Sequence, residues 1–291
     1  MAEQLPRDVI DQLRALDHAV TPELAQRSWA LLTPFHEKLG YTAPRIVRDV
    51  KYGDHERHRL DVHTGGDPAA PAPVFVFVHG GGFVAGDKHR PGTPIYDLVG
   101  AWAVRHGWVG VNITHRYAPE IKWPAGAQDV GAAVAWIREN VASYGGDPAK
   151  IVVAGNSAGA THVADFIAGL GGSLAGVRGA ALISGIYSAR PAEPGAEPHP
   201  YYGVPDPAQG PLPRLVESDI PLLFTIAERD PARFQEALAE VVAAWLAHHG
   251  TVPAMAWVDG HNHMSCIGSL GVDEAALGVT LARFVERRTS D

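Results

Sequence analysis

A single cysteine, Cys266, stands in a chain of 291 residues, so no disulfide can form within it, which is the usual pattern of a protein kept in a reducing compartment. Long hydrophobic runs are missing too. Stretches such as 74–78 are far too short to span a bilayer, so no membrane is expected. Residues 1–7 lack a basic segment followed by an apolar core, and a cytoplasmic location is expected. Neither sign of charge dominates by much: 24 Lys and Arg stand against 32 Asp and Glu, a net charge of −8. They are interspersed along the chain, which argues against nucleic acid or an anionic membrane as partner. Internal repeats are absent. His58, His63 and His115 fall on different expected elements, and no metal-ligand spacing is present; neither a metal nor an organic cofactor is expected.

What is present reads as a soluble α/β protein. Two N-terminal helices are expected, the first carrying Val9, Ile10, Leu13 and Leu16 at helical spacing. The second opens at Thr21-Pro22, a capping residue with proline at the first helical position, and Pro34 should end or kink it. Strands are expected at 46–52, 58–63, 74–78, 109–114, 151–154, 180–183, 222–226 and 252–258. The first two should form a hairpin turning at Gly53-Asp54. Later strands are near-continuous Val/Ile/Leu/Phe runs, as expected of strands buried on both faces. Helices are expected between them at 95–104, 126–141, 160–170, 231–249 and 273–287. The alternation implies one eight-stranded, mostly parallel sheet with helices on both faces. The divisions expected are an N-terminal helical cap segment, 1–44, and a catalytic domain, 45–291. Residues 185–220 break the rhythm with eight of the 23 prolines. They also hold Tyr187, Tyr201 and Tyr202, and are read as an ordered lid or pocket wall.

Gly155-Asn156-Ser157-Ala158-Gly159 lies between an expected strand and an expected helix. A Gly-x-Ser-x-Gly in that place makes a tight turn that lifts the serine hydroxyl above the sheet end. Serine is a poor nucleophile alone. It needs a base in hydrogen-bond reach, and the base needs an orienting acid. Asp230 closes the 222–226 strand and its loop, with Glu228 as the competing acid; Asp directly before Pro231 also reads as a helix cap, and the two roles can coexist. The base lies in Asp259-Gly260-His261-Asn262-His263-Met264. Geometry alone does not choose between His263 and His261. His79-Gly80-Gly81-Gly82-Phe83 follows the 74–78 strand. Its glycines let backbone N–H groups approach a tetrahedral oxyanion, with Gly81, Gly82 and Ala158 as donors.

These residues resemble the α/β-hydrolase superfamily, and within it the hormone-sensitive-lipase-like carboxylesterases and the feruloyl-esterase- and arylformamidase-like branch. The resemblance spans about residues 45–287. Thr114-His115-Arg116-Tyr117-Ala118-Pro119-Glu120 looks like that family's Asp-Tyr-Arg-Leu-Ala-Pro-Glu stretch, departing at Thr114, His115 and Tyr117. Asn262-His263-Met264 is similar to the arylformamidase-like Asn-His-Phe, which favours His263. By the same resemblance the N-terminal helices and the 185–220 insert should roof the acyl pocket, and His79 should shape the glycine loop without acting as a base. The implied activity is a serine carboxylesterase hydrolysing small to medium esters through an acyl-enzyme, with an arylformamidase or acylamidase as the alternative. The implied substrate is a small-molecule ester. A homodimer through an edge strand is common in that family and is left open here.

Overall fold

Thr21 opens the second N-terminal helix as its sequence predicts: the hydroxyl accepts the Leu24 N–H at 3.1 Å, with Pro22 behind it. In the computed structural model, which describes residues 4–66, 70–189, 197–204, 206 and 209–290, α1 (Arg7–Arg14) and α2 (Pro22–Leu39) precede the sheet. Pro34 lies inside α2, which continues to Leu39 rather than ending there. The missing N–H is offset by packing. Leu32 is fully buried, Phe35 and Leu39 pack around it, and the His36 Nε2 donates to the Gly268 carbonyl at 2.8 Å.

The sheet then follows: β1 (Arg45–Lys51), β2 (Arg59–Thr64), β3 (Ala72–Val78), α3 (Asp97–Arg105), β4 (Val109–Ile113), α4 (Ala125–Asn140), β5 (Gly146–Asn156), α5 (Ala158–Asp165), β6 (Val177–Ile183), α6 (Leu212–Val216), β7 (Leu222–Arg229), α7 (Ala232–His249), β8 (Met255–Asn262), α8 (Ser265–Gly268) and α9 (Val279–Thr289). The eight strands lie in the order β1-β2-β4-β3-β5-β6-β7-β8. β2 is antiparallel to both β1 and β4, and every other pair is parallel. This is the α/β-hydrolase fold. No helix among the described residues is long and apolar enough to cross a membrane.

Alternation along β3 sorts the core into two layers. Val74, Val76 and Val78 pack with Val130, Val134 and Ile137 of α4 and Val163 of α5. Phe75 and Phe77 face the other way, onto Leu98 and Trp102 of α3 and Phe284 and Val285 of α9. Val78 pairs with Gly155, Asn156 with Ile183, and Ile183 with Thr225. The carboxyl ends of β3, β5, β6 and β7 are thus held level, and the loops beyond them share one rim of the sheet.

Several boundaries differ from those read in the sequence. The β1–β2 connection covers residues 52–58 rather than a tight turn at Gly53-Asp54; the His58 N–H closes on the His55 carbonyl and the Tyr52 N–H on the His58 carbonyl. β7 runs through Glu228 and Arg229, and β8 starts only at Met255 but reaches Asn262, with Arg229 paired to Asn262. The 160–170 helix ends at Asp165 and continues as a wider turn, Phe166–Leu170. Of the 185–220 insert, 190–196, 205, 207 and 208 lie outside the described residues.

Candidate active site

Ser157 sits at φ 57°, ψ −123°, between the last residue of β5 and the first of α5. Two positions to either side of it, only glycine fits. A Cβ on Gly155 would lie 2.4 Å from the Gly159 carbonyl oxygen, and one on Gly159 would lie 2.2 Å from that of Val78. The Ser157 N–H donates to the Ile183 carbonyl at 2.9 Å, fixing the turn to the neighbouring strand.

His263, directly after β8, faces this hydroxyl: Nε2 is 2.9 Å from Ser157 Oγ. Its Nδ1 is 2.5 Å from Asp230 Oδ1, directly after β7. With its proton on Nδ1 and donated to the carboxylate, the ring offers the Nε2 lone pair to the serine. His263 and Asp230 are buried, while Ser157 is partly open. Phe234 of α7 packs on the imidazole, ring centroids 4.3 Å apart. Asp230 makes no side-chain cap to α7. Its Oδ2 instead accepts the Ala227 N–H at 2.7 Å and the Ser184 hydroxyl at 2.6 Å.

The two competing residues are engaged elsewhere. Glu228 accepts from Arg14 of α1 at 2.9 Å and from the Gly260 N–H at 2.7 Å. The Arg14 guanidinium and this N–H hold its carboxyl below the usual range, against the opposing pull of desolvation. His261 is buried with Nδ1 at 3.1 Å from Ser265 Oγ and Nε2 at 3.3 Å from Asp273.

The glycine loop lies against the serine; a Cβ on Gly80 would sit 3.0 Å from that of Ser157. Gly81 (φ 136°) could carry no side chain, since its Cβ would fall 1.8 Å from the Ala85 carbonyl oxygen. Gly82 and Phe83 both have positive φ, and the Gly81 carbonyl receives the Val84 and Ala85 N–H groups. Among the described residues, no acceptor takes the N–H of Gly81, Gly82 or Ala158. His79 is buried against His115, ring centroids 4.4 Å apart, with Nδ1 2.6 Å from the Gly80 carbonyl. Burial and the neighbouring His115 push its imidazole well below the ordinary range, so it is neutral and shapes the loop.

Part of the insert closes on this loop. Tyr201 is fully buried, stacked on Phe83 at 4.6 Å and 5°, and its hydroxyl accepts the Gly126 N–H. Sequence reasoning named Tyr201 only as one of three tyrosines in a proline-rich stretch. It missed Ser184, whose signal was its place just after an expected strand. α1 and α2 pack on the β8 side of the rim, where Ile10 meets Gly260 and Trp29 and Leu32 meet Gly268.

Asp61, His63 and Asp97 bring three potential metal-donor atoms within 4.8 Å. They do not suit a cation. Arg48 binds both carboxylates at 2.7 Å, Lys88 reaches Asp61 at 3.1 Å and His89 reaches Asp97 at 3.0 Å. Burial also pushes His63 down to about 4, consistent with a neutral ring inside an ion-pair network.

Known proteins resemble this chain in sequence and in fold. The BD-FAE family model matches residues 60–176. Esterase LipC of Mycobacterium tuberculosis is 43% identical over 175 residues, covering 54% of this chain and 42% of LipC. Esterase LipQ of the same organism is 38% identical over 187 residues, covering 63% of this chain and 41% of LipQ. The matched region is thus under half the length of either relative. Among solved structures, an esterase of Pyrobaculum calidifontis superposes with a TM-score of 0.69 at 21% identity, covering 98% of this chain and 100% of that one. The chain is thus similar in part of its sequence to esterases, and its fold is that of a solved esterase.

Proposed function

We propose that this protein is a serine carboxylesterase acting on small to medium carboxylic esters. Ser157 Oγ attacks the ester carbonyl while His263 Nε2 takes its proton. The oxyanion is held by the N–H groups of Gly81, Gly82 and Ala158. The imidazolium then protonates the leaving alcohol, and Asp230 orients and stabilises it throughout. Water, activated by the same imidazole, releases the acid. No metal or organic cofactor enters this sequence. Residues 45–291 form the catalytic domain, with residues 1–44 as a cap segment. Tyr201 and Tyr202, from the described part of the insert, wall the pocket beside Phe83 and limit its size.

The observation that carries the reading is the continuous Asp230–His263–Ser157 chain at 2.5 and 2.9 Å, beside a glycine loop with unused N–H groups. The esterases LipC and LipQ support the same chemistry. A net charge of −8 disfavours nucleic acid as partner, and a single buried cysteine suits the cytoplasm. β8 is an open sheet edge with Met255 and Trp257 exposed, and a second copy pairing there would form a homodimer.

The test is steady-state turnover of aryl esters of increasing acyl length, set against matched anilides. Turnover of short and medium esters well above that of anilides is expected, with loss in Ser157→Ala. Faster anilide turnover would overturn the ester assignment.

A further inference from the structure

Ser184 follows β6 directly, occupies φ 52° and is fully buried. A non-glycine residue in the left-handed region is uncommon and costs energy that its surroundings must offset. Its hydrogen bonds to β7 and to the residue after that strand hold it there. Its N–H donates to the Thr225 carbonyl at 2.9 Å, tying it to β7, and its hydroxyl donates to Asp230 Oδ2 at 2.6 Å. Asp230 therefore divides its two oxygens. Oδ1 receives the His263 Nδ1 proton, while Oδ2 receives Ser184 and the Ala227 N–H. Three donors in fixed directions leave the carboxylate one orientation. Without the Ser184 hydroxyl, only the His263 ring it must orient and a backbone N–H from its own turn would oppose rotation about the Cβ–Cγ bond.

We propose that Ser184 is a positioning residue for the Asp230–His263 pair: its left-handed backbone is the conformation that aims its hydroxyl at the far oxygen of Asp230. The inference rests on the esterase reading above. Ser184 does not touch the reacting atoms and acts only through Asp230. Its loss should thus slow the chemical steps and leave substrate binding unchanged. A hydrogen bond to a charged group lost in this way corresponds to roughly a 10- to 100-fold fall in rate.

The experiment compares wild type, Ser184→Ala, Ser184→Gly, Asp230→Ala and the Ser184→Ala/Asp230→Ala double variant. It measures kcat and KM on a short aryl ester, the rate of labelling by a fluorophosphonate probe, and the thermal midpoint. Both Ser184 variants should lose about 10- to 100-fold in kcat and in labelling rate, with KM within about twofold. Ser184→Gly relieves backbone strain but restores no donor, so equal losses in the two variants assign the effect to the hydroxyl. In the Asp230→Ala background, removing Ser184 should cost nothing further, because its only route to catalysis is gone. Wild-type kcat in both folded Ser184 variants would overturn the inference, as would equal further losses in the Asp230→Ala background. An inactive wild type, or full activity in Asp230→Ala, would instead overturn the esterase reading itself.

Discussion

The Ser28 hydroxyl on α2 and the Asn262 side-chain amide after β8 bond in both directions, Oγ to Oδ1 at 3.2 Å and Nδ2 to Oγ at 3.1 Å. Asn262 Oδ1 also accepts the N–H groups of Met264 and Ser265, each at 3.0 Å, closing the turn that carries His263. An N-terminal helix thereby braces the turn of the proposed base. Asn262→Ala should lower kcat about tenfold or more and leave KM little changed, since it removes the acceptor that shapes the turn. Ser28→Ala, which leaves those two N–H bonds in place, should cost less. Steady-state kinetics on the two variants checks the order; a larger loss in Ser28→Ala would contradict it.

The two histidines at the end of β8, His261 in it and His263 just after it, should separate cleanly by substitution. His263→Ala should cut kcat by about 10⁴-fold or more, as removal of a base from such a unit does. Both ring nitrogens of His261 are engaged, by Ser265 and Asp273. His261→Ala should lower the thermal midpoint and keep kcat within about tenfold of wild type. Kinetics and melting curves on both proteins give the answer.

Gly81→Ala tests the glycine loop. A Cβ there would overlap the Ala85 carbonyl oxygen at 1.8 Å, and φ 136° admits almost no side chain. The loop must shift, withdrawing N–H donors from the place proposed for the oxyanion. A fall of about 10²–10³-fold in kcat is expected, the size of losing one such donor. Gly82→Ala, with open space around its Cβ but φ 61°, should be milder. Ester kinetics on both would reveal the difference.

Asp165 on α5 gives a stability prediction with a definite sign. It is fully buried, Trp123 donates to its Oδ1 at 3.2 Å, and burial pushes its carboxyl up to about 7. Between the unfolded value near 3.8 and about 7 the folded state binds the extra proton, so this group's contribution falls as pH rises through that window. Asp165→Asn keeps an acceptor for Trp123 and cannot ionise. It should match wild type near pH 4 and exceed it in stability near pH 8, by an amount on the order of 2–4 kcal/mol. Denaturant melts at the two pH values measure this; identical differences at both would contradict it.

The parallel strands and both glycine motifs were legible because their signals are local. β3 is a continuous apolar run and β4 is broken only by Asn112, and each glycine loop is a few adjacent residues whose chemistry needs no distant partner. The strand ends were not legible for the opposite reason. Glu228 and Arg229 look like loop, yet Arg229 pairs across to Asn262, and Glu228 is held by Arg14 more than 200 positions away. Pro34 reads as a helix stop, but Leu32, Phe35 and His36 bind that helix to the body of the protein. Asp230 before Pro231 also reads as a helix cap. Only the folded sheet, which sets Ser184 and His263 beside it, turns its carboxylate away from the helix. His261 and His263 differ by two positions, and what separates them is the Asn262 turn, braced by a residue from α2.

The most direct measurement is intact mass and peptide mapping after exposure to a fluorophosphonate and, separately, rapid quenching with an activated aryl ester. One covalent adduct of the expected phosphonyl or acyl mass is predicted, on the peptide containing Ser157, absent from Ser157→Ala and greatly slowed in His263→Ala. An unmodified wild-type protein, or the same adduct on Ser157→Ala, would contradict the account.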